Sequence, residues 1–379
     1  MRSGPSVHKD IARTFPANGA VGSCRPHRRG PYASAVPVRS DVALAELTTL
    51  RLGGPARRLV TVATEDELLE AVRHADGAGE PLLVVAGGSN LVVADAGFDG
   101  TVVHVTSRGV TAQATGSGDE VRVTVAAGEP WDELVARAVA EGWSGIEALS
   151  GIPGSTGATP IQNVGAYGQE VADTIERVRT WDRRTGEVRT LTAADCGFGY
   201  RSSAFKGHDR HVVLDVTFRL RLGPLGAPVR YAELAGHLGV VAGEQAPIGA
   251  VRSAVLALRS RKGMVLDADD HDTWSAGSFF TNPVIEAAAV PDGAPAWPQA
   301  DGRVKTSAAW LIDHAGFRRG HPGPGGRVAL SGKHPLALTN RGGASTADLL
   351  ALAREVRDGV RARYAVELVN EPTLVGCAL

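Results

Sequence analysis

A mixed architecture, α+β or α/β, follows from two features of the sequence: short apolar runs that end at turn residues, and amphipathic stretches carrying helix signals interleaved among them. The folded part opens near Leu47. Thr64-Glu65-Asp66-Glu67 is a capping box ahead of Leu68, Leu69 and Val72, which predicts a helix to about Ala75. Leu82-Leu83-Val84-Val85-Ala86 is an apolar strand that runs into Gly87-Gly88-Ser89-Asn90, and residues 101–105 form another. Val121, Val123 and Val125 alternate with polar residues as a half-buried strand does. Residues 131–141, closed by Gly142, predict a helix with a glycine stop. Glycines at 145, 151, 154, 157, 165 and 168 then break any long element. Residues 177–181, 188–191 and 212–222 predict successive antiparallel strands. Beyond Gly223-Pro224-Leu225-Gly226, helices are predicted over 250–262, 306–315 and 346–363, the last with a stripe of Leu349, Leu352, Val356 and Val360.

Composition narrows the function classes. A chain of 379 residues is long enough for two or three domains of roughly 150 residues. With 43% hydrophobic and 21% charged residues it is not wholly disordered. A formal net charge of −1 leaves no electrostatic footprint for nucleic acid. No apolar run approaches about 18 residues, so no transmembrane helix is expected. Cys24, Cys196 and Cys377 contain no CxxC pair, which argues against a disulfide scaffold or structural zinc and favours a reducing compartment. The 11 histidines show no ligand spacing, so no metal site is expected. Residues 1–39 carry Arg2, Lys9, Arg13, Arg25, Arg28, Arg29 and Arg39 against a single acid, Asp10. They are read either as an Arg-rich targeting or anion-binding tail or as a disordered extension, and the second reading is adopted.

There is no GxGxxG, GxxxxGK[ST], HExxH or GxSxG signature, which disfavours a Rossmann dinucleotide site, a P-loop nucleotidase, a zincin and an α/β-hydrolase. What remains is glycine-rich turns. Gly87-Gly88-Ser89-Asn90 comes directly off a strand, where backbone N–H groups can converge on an anion, although such a sequence is also an ordinary turn. The run from Gly151 to Gly168 combines closely spaced glycines, Pro153 and Pro160, and small hydroxyl or amide side chains with little charge. It suits a large, flat, phosphate-bearing cofactor. The other reading is a plain long loop, yet uncharged loops of this length are uncommon unless buried against something.

This loop, together with Leu50-Arg51-Leu52-Gly53-Gly54, Gly87-Gly88-Ser89-Asn90-Leu91, Gly199-Tyr200-Arg201-Ser202-Ser203, Gly277-Ser278-Phe279-Phe280-Thr281-Asn282-Pro283 and Asn370-Glu371-Pro372, resembles the UDP-N-acetylenolpyruvoylglucosamine reductase family. The resemblance spans residues 47–376 and leaves out only the N-terminal tail. It implies an α+β protein: a two-lobed FAD-binding domain of the vanillyl-alcohol-oxidase (PCMH) type over 40–223, with lobes at about 40–105 and 106–223, followed by an α+β substrate-binding domain over 224–379 whose last strand packs back on the first lobe. It also implies non-covalent FAD, NADPH as reductant, and reduction of the enolpyruvyl double bond of a UDP-sugar to give UDP-N-acetylmuramate for wall synthesis.

The resemblance carries residue roles with it. Gly87, Gly88, Ser89, Asn90, Gly151, Gly154, Ser155, Gly157, Ala158, Gln162, Asn163, Gly165, Ala166 and Tyr167 are expected to hold the cofactor. Arg201 is expected to grip the substrate carboxylate, since guanidinium is always charged and can bind a carboxylate bidentately. Ser278 would donate the proton to the carbon next to the one that receives hydride, and Glu371, protonated, would donate a hydrogen bond to the enol-like intermediate. Tyr231, Lys262, Asn282 and His334 are expected on the UDP-sugar, with Tyr231 marking the subgroup that closes a tyrosine lid over the nucleotide. The expected partners are small molecules only, for a cytoplasmic monomer bound to neither nucleic acid nor membrane. Two other readings stand beside this one. One is a flavin oxidase or dehydrogenase acting on a sugar or alcohol, and the other is a nucleotide-sugar-binding protein without turnover.

Overall fold

A computed structural model describes residues 37–116 and 118–379. The disordered extension expected over 1–39 therefore lies outside the described residues except at its end. There the expectation is corrected, because Val38 and Arg39 pair antiparallel with Val60 and Leu59 and supply a partner to an otherwise open sheet edge.

The first lobe contains β1 (Val38–Arg39), β2 (Val42–Ala43), β3 (Pro55–Val62), α1 (Glu65–Gly77), β4 (Leu82–Val85), β5 (Leu91–Val93) and β6 (Phe98–Val105). Its main sheet runs β1-β3-β6-β4, with β2 also on β3. β3 and β4 both lie parallel to β6, which requires a crossover, and α1 supplies it. The capping box at Thr64 is formed: Thr64 Oγ1 accepts from Glu67 N–H at 3.2 Å and Glu67 Oε2 accepts from Thr64 N–H at 3.2 Å. Leu68, Leu69, Val72 and Ala75 then face inward at helical spacing.

The second lobe is an antiparallel sheet. β7 (Val110–Ala114) and β8 (Glu120–Ala126) precede α2 (Trp131–Ala140), the short β9 (Trp143–Ser144) and a hairpin of β10 (Gly165–Ala166) with β11 (Gln169–Glu170). β12 (Ile175–Asp182), β13 (Glu187–Thr192) and β14 (His211–Leu222) complete it in the order β13-β12-β14-β8-β7. The alternation in β8 holds: Val121, Val123 and Val125 are buried and the residues between them are not. One core joins the two sheets, with Val60, Val62, Leu68, Val72 and Val103 packing among Val123, Trp131, Phe218 and Leu220. Arg179 binds Asp215 on its own sheet and Glu65 on α1, at 2.9 Å to the latter, which ties α1 to the second sheet.

After β14, α3 (Ala232–Leu238) and α4 (Ile248–Arg261) pack with Ala148 into a small cluster against the glycine-rich stretch. The remaining chain forms β15 (Val284–Ile285), β16 (Ala296–Pro298), β17 (Val304–Thr306), α5 (Ala308–His314), β18 (Val328–Leu330), β19 (Leu338–Asn340), α6 (Thr346–Tyr364) and β20 (Thr373–Val375). The helix expected from 306 starts two residues later, because Thr306 ends β17 and Ser307 caps α5 by accepting from Trp310 N–H at 3.2 Å. α6 buries its stripe of Leu349, Leu352, Val356 and Val360 against Leu50, Leu52, Phe279 and Phe280. Each such side chain contributes about 1.5–3 kcal/mol on leaving water. β20 runs parallel to β5, so the C-terminal segment returns to the first lobe beside Asn90.

Candidate active site

β4 ends at Val85 and delivers the chain into Gly87-Gly88-Ser89-Asn90, where glycine is required for space. A Cβ on Gly88, whose φ is +54°, would sit 1.7 Å from the Leu47 carbonyl oxygen, and one on Gly87 would sit 2.5 Å from the Gly154 Cα. Backbone therefore meets backbone where the two glycine-rich loops cross, and Ser89 Oγ fixes the crossing by donating to the Pro153 carbonyl at 3.0 Å. These loops form one wall of a cleft of about 390 Å³.

The cleft gathers most of the residues expected from sequence. Gly87, Gly88, Ser89 and Asn90 line it from the first loop, and Gly154, Ser155, Ala158, Gln162, Gly165, Ala166 and Tyr167 from the second. Arg201, Tyr231, Lys262, Ser278, His334 and Glu371 face them. Four expected residues are elsewhere. Gly151 lies behind the loop, its N–H donating to Asp132 Oδ1 at 2.6 Å and its open side against Leu256 and Val265. Gly157 is pressed on Ala127, whose Cβ would be 2.5 Å from an added Cβ. Asn163 is 1% exposed and serves as scaffold: Nδ2 donates to Glu170 Oε2 at 2.7 Å and to the Gly199 carbonyl at 3.1 Å, while Oδ1 accepts from Ala172 N–H at 3.1 Å. Asn282 turns its Oδ1 to the Ala308 N–H at 3.0 Å, at the start of α5. Each of these side chains or glycines answers a packing need that a linear sequence does not reveal.

The centre of the cleft is a polar chain. Asn90 Nδ2 donates to Gln162 Oε1 at 2.7 Å, Gln162 Nε2 donates to Glu371 Oε1 at 3.3 Å, and Arg201 Nε lies 3.2 Å from Glu371 Oε1. Arg201 Nη2 donates to the Gly165 carbonyl at 2.6 Å and Nη1 to that of Asn163 at 3.3 Å. Burial pushes the Glu371 carboxyl above the usual range, against the pull of Arg201 and Lys206. Ser278 comes beside Glu371 through backbone pairing. Phe280 bridges Asn370, Glu371 N–H donates to the Phe279 carbonyl at 2.8 Å, and Thr281 N–H donates to that of Val369 at 3.0 Å. Residues some ninety positions apart thus share one rim.

The far end of the cleft is cationic. Arg259, 7% exposed, uses Nη2 on the Met264 carbonyl at 2.9 Å and leaves Nε buried without a partner. Burial pushes it down to about 10, so it stays charged at neutral pH. Sequence reasoning missed it and named Lys262, at the end of the same helix, instead. The signal was there, since Arg259 follows Val251 and Val255 at four-residue steps on the buried face of α4. His334 is pushed down to about 4 by burial and by Lys262, Arg259 and Arg319, and its Nδ1 accepts from Leu336 N–H at 3.1 Å. Tyr167 and Tyr231 meet edge to face at 5.4 Å, and Lys262 Nζ sits 5.7 Å from the Tyr167 ring centre.

A glycine cradle that any Cβ would fill, a buried guanidinium nitrogen without a partner and a wall of uncharged loop fit a flat cofactor bearing phosphates. Fold and cleft together define a two-lobed flavin-binding oxidoreductase, and residues 56–192 match the model of the FAD binding domain. Residues 269–375 match the C-terminal domain of UDP-N-acetylenolpyruvoylglucosamine reductase. The reductase of that name from Salinispora arenicola is 60% identical over 346 residues, covering 89% of this chain and 95% of its own. That from Cutibacterium acnes is 59% identical over 341 residues, covering 89% and 90%. The crystal structure of the reductase from Thermus caldophilus aligns with 90% of this chain and 99% of its own, at 26% identity and a TM-score of 0.62. The chain belongs to the UDP-N-acetylenolpyruvoylglucosamine reductase family.

Proposed function

We infer that one cleft serves FAD, NADPH and an enolpyruvyl UDP-sugar, and that Arg201, Ser278 and Glu371 carry the chemistry at its centre. The chain is an FAD-dependent NADPH oxidoreductase that reduces UDP-N-acetylglucosamine enolpyruvate to UDP-N-acetylmuramate in peptidoglycan precursor synthesis. When bound, FAD would supply the hydride, drawn from NADPH, that reduces the enolpyruvyl double bond. The glycine turn at 87–90 and the loop residues Gly154, Ser155, Ala158, Gly165 and Ala166 would hold it, and Arg259 would meet its anionic part.

A guanidinium has five N–H groups. Arg201 commits one each to Glu371, Asn163 and Gly165, which leaves one on each terminal nitrogen for the substrate carboxylate. That carboxylate arrives beside Glu371 on a shared cation. The repulsion between the two adds to the burial that already raises Glu371, so Glu371 takes up a proton and becomes a hydrogen-bond donor to the enol-like oxygen. Ser278 donates its hydroxyl proton to the carbon next to the one that receives hydride. Lys262, His334 and Tyr231 take the UDP portion. Tyr231, 45% exposed at the mouth, is the lid. Among the described residues no helix is long and apolar enough to cross a membrane. We read the protein as a cytoplasmic monomer whose partners are these small molecules, without nucleic acid or membrane.

The observation that carries this reading is the convergence of Arg201, Ser278 and Glu371, from three distant segments, on one cleft. Stopped-flow absorbance tests it. In Ser278→Ala, NADPH bleaches the flavin at close to the parent rate, whereas anaerobic recolouring by the enolpyruvyl sugar slows by about 10²- to 10⁴-fold. Equal damage to both half-reactions removes Ser278 from the proton-donor role.

A further inference from the structure

Arg201 does not sit on a helix or strand. It occupies the third position of a β-turn closed by Ser202 N–H to the Gly199 carbonyl at 3.2 Å, with φ at +51°. Glycine is the usual occupant of that position. A guanidinium on so short a support is aimed well only if the turn itself is held. Lys206 supplies the hold, because its Nζ donates to the Arg201 carbonyl oxygen at 3.0 Å from a half-buried position behind the cleft. Lys206 does not line the cleft and would not touch substrate.

The same ammonium belongs to the electrostatics of the site. Burial holds Lys206 below the usual lysine range and Arg201 adds to that, whereas Glu371 pulls the other way. The groups that face Glu371 are Arg201, Lys206 and the Tyr200 phenol, and Glu170 lies 4.0 Å from Arg201 Nη1. Two cations therefore act on Glu371 before the substrate brings its own carboxylate to Arg201. In a chain with 40 basic residues, of which only five are lysines, this half-buried place is held by a lysine, whose ammonium carries three rotatable donors.

We propose that Lys206 is a positioning residue of the reduction: it pins the Arg201 carbonyl so that the guanidinium stays aimed at the substrate carboxylate, and its charge tunes the proton held by Glu371. This rests on the roles given above to Arg201 and Glu371. Without Lys206 the Arg201 peptide loses the side-chain anchor on its carbonyl, the carboxylate is gripped less firmly, and Glu371 keeps its proton to higher pH.

The test uses the flavin-loaded enzyme with Lys206→Met and Lys206→Arg. In Lys206→Met, reduction by NADPH stays close to the parent rate, and anaerobic reoxidation by the enolpyruvyl sugar slows by about 10²-fold, the usual consequence of a misplaced group. Calorimetric titration with UDP-N-acetylmuramate shows affinity weakened by about tenfold. The basic limb of the reoxidation pH profile moves to higher pH. Lys206→Arg, which keeps the charge, recovers reoxidation and returns the limb toward its original place. Unchanged reoxidation, or equal loss in both half-reactions with the pH profile unmoved, overturns the proposal. If Lys206→Met does not retain flavin, Lys206→Gln, which removes the charge and keeps a polar side chain, takes its place: slowed reoxidation with the limb moved to higher pH upholds the proposal, and parent-like reoxidation with an unmoved limb sinks it. Ser278→Ala separates the layers. When it slows reoxidation alone while Lys206→Met does nothing, only the Lys206 role fails; when it damages both half-reactions alike, the underlying reading fails.

Discussion

Two parts of the cleft, the glycine crossing and the surroundings of Arg201, solve opposite problems with the same left-handed backbone. On the cradle side, left-handed φ values fall on glycines, Gly88 at +54° and Gly154 at +116°, where a side chain would strike backbone or Ser89. Farther along the second loop, and in the turn that faces it, they fall on residues that keep their side chains: Asn163 at +47° and Tyr167 at +51° in the loop, and Arg201 at +51° in the turn. An L residue in that region costs about 1–2 kcal/mol, somewhat less for asparagine. The strained residues are accordingly held by their surroundings. Asn163 makes three side-chain hydrogen bonds, and the carbonyls of Asn163 and Gly165 receive the Arg201 guanidinium. Where a ligand needs bare backbone the chain uses glycine, and where the chemistry needs an aimed side chain it accepts strain and locks it.

The comparison breaks most easily at Gly88. Gly88→Ala combines a left-handed φ with a Cβ 1.7 Å from the Leu47 carbonyl oxygen, and backbone cannot move aside as a flexible side chain can. The expected loss is about 3–5 kcal/mol of stability together with the bound flavin. Thermal unfolding and the visible flavin absorbance of the purified protein measure both. A variant that melts like the parent and stays yellow would falsify the steric account of the cradle.

The cradle was also the most readable part of the site. Its glycines cluster in sequence because a loop crossing is a local event, so Gly87, Gly88 and Gly154 could be picked without a structure. The capping box at Thr64 and the stripe on α6 were legible for the same reason, since both are patterns within a few turns of chain. The facing wall was not. Nothing near Ser278 announces Glu371, and it is the backbone pairing around Phe280 and Asn370 that joins them. Arg201 entered through family resemblance, and Lys206 and Arg259 did not enter at all. Asn163 was expected on the cofactor through the resemblance, and a linear sequence does not tell which side of a loop an amide takes. Strand β3 escaped for a related reason: Arg57 and Arg58 interrupt the alternation, while Ala56, Leu59, Val60 and Val62 are the residues that bury.

A second test concerns His334, on the side-chain wall among cations. Its folded value of about 4 lies below the ordinary 6.5, so the unfolded chain binds the extra proton first as pH falls. The stability that comes from keeping this imidazole neutral is whole above about 6.5 and is lost as pH drops toward 4. The loss amounts to at most about 3 kcal/mol. His334→Gln keeps an acceptor for the Leu336 N–H and removes the titration. Melting temperatures between pH 6.5 and 4 should fall less steeply in the variant. Parallel slopes would mean that other groups carry the acid sensitivity and that His334 is better hydrated than its surroundings imply.

The smallest effect is the most discriminating, because it measures the strain itself. Asn163→Ala and Asn163→Gly both delete the hydrogen bonds to Glu170, Gly199 and Ala172, so both destabilise the protein and loosen the turn that carries Arg201. They differ in one respect at φ +47°, where alanine pays a steric cost that glycine does not. Working against glycine is the larger conformational freedom of its unfolded chain, worth about 0.5–1 kcal/mol. If the left-handed backbone at Asn163 is enforced by the Ala166–Gln169 hairpin and by the Val164 N–H bond to the Thr159 carbonyl, alanine must adopt it too, and the steric term decides. Glycine then comes out the more stable by up to about 1 kcal/mol, with reoxidation nearer the parent rate. If instead the asparagine side chain alone holds the loop, alanine relaxes to an ordinary φ and loses nothing by it. Denaturant titration of the two variants would then put alanine level with glycine or above it, and the strain at this position would belong to one side chain rather than to the fold.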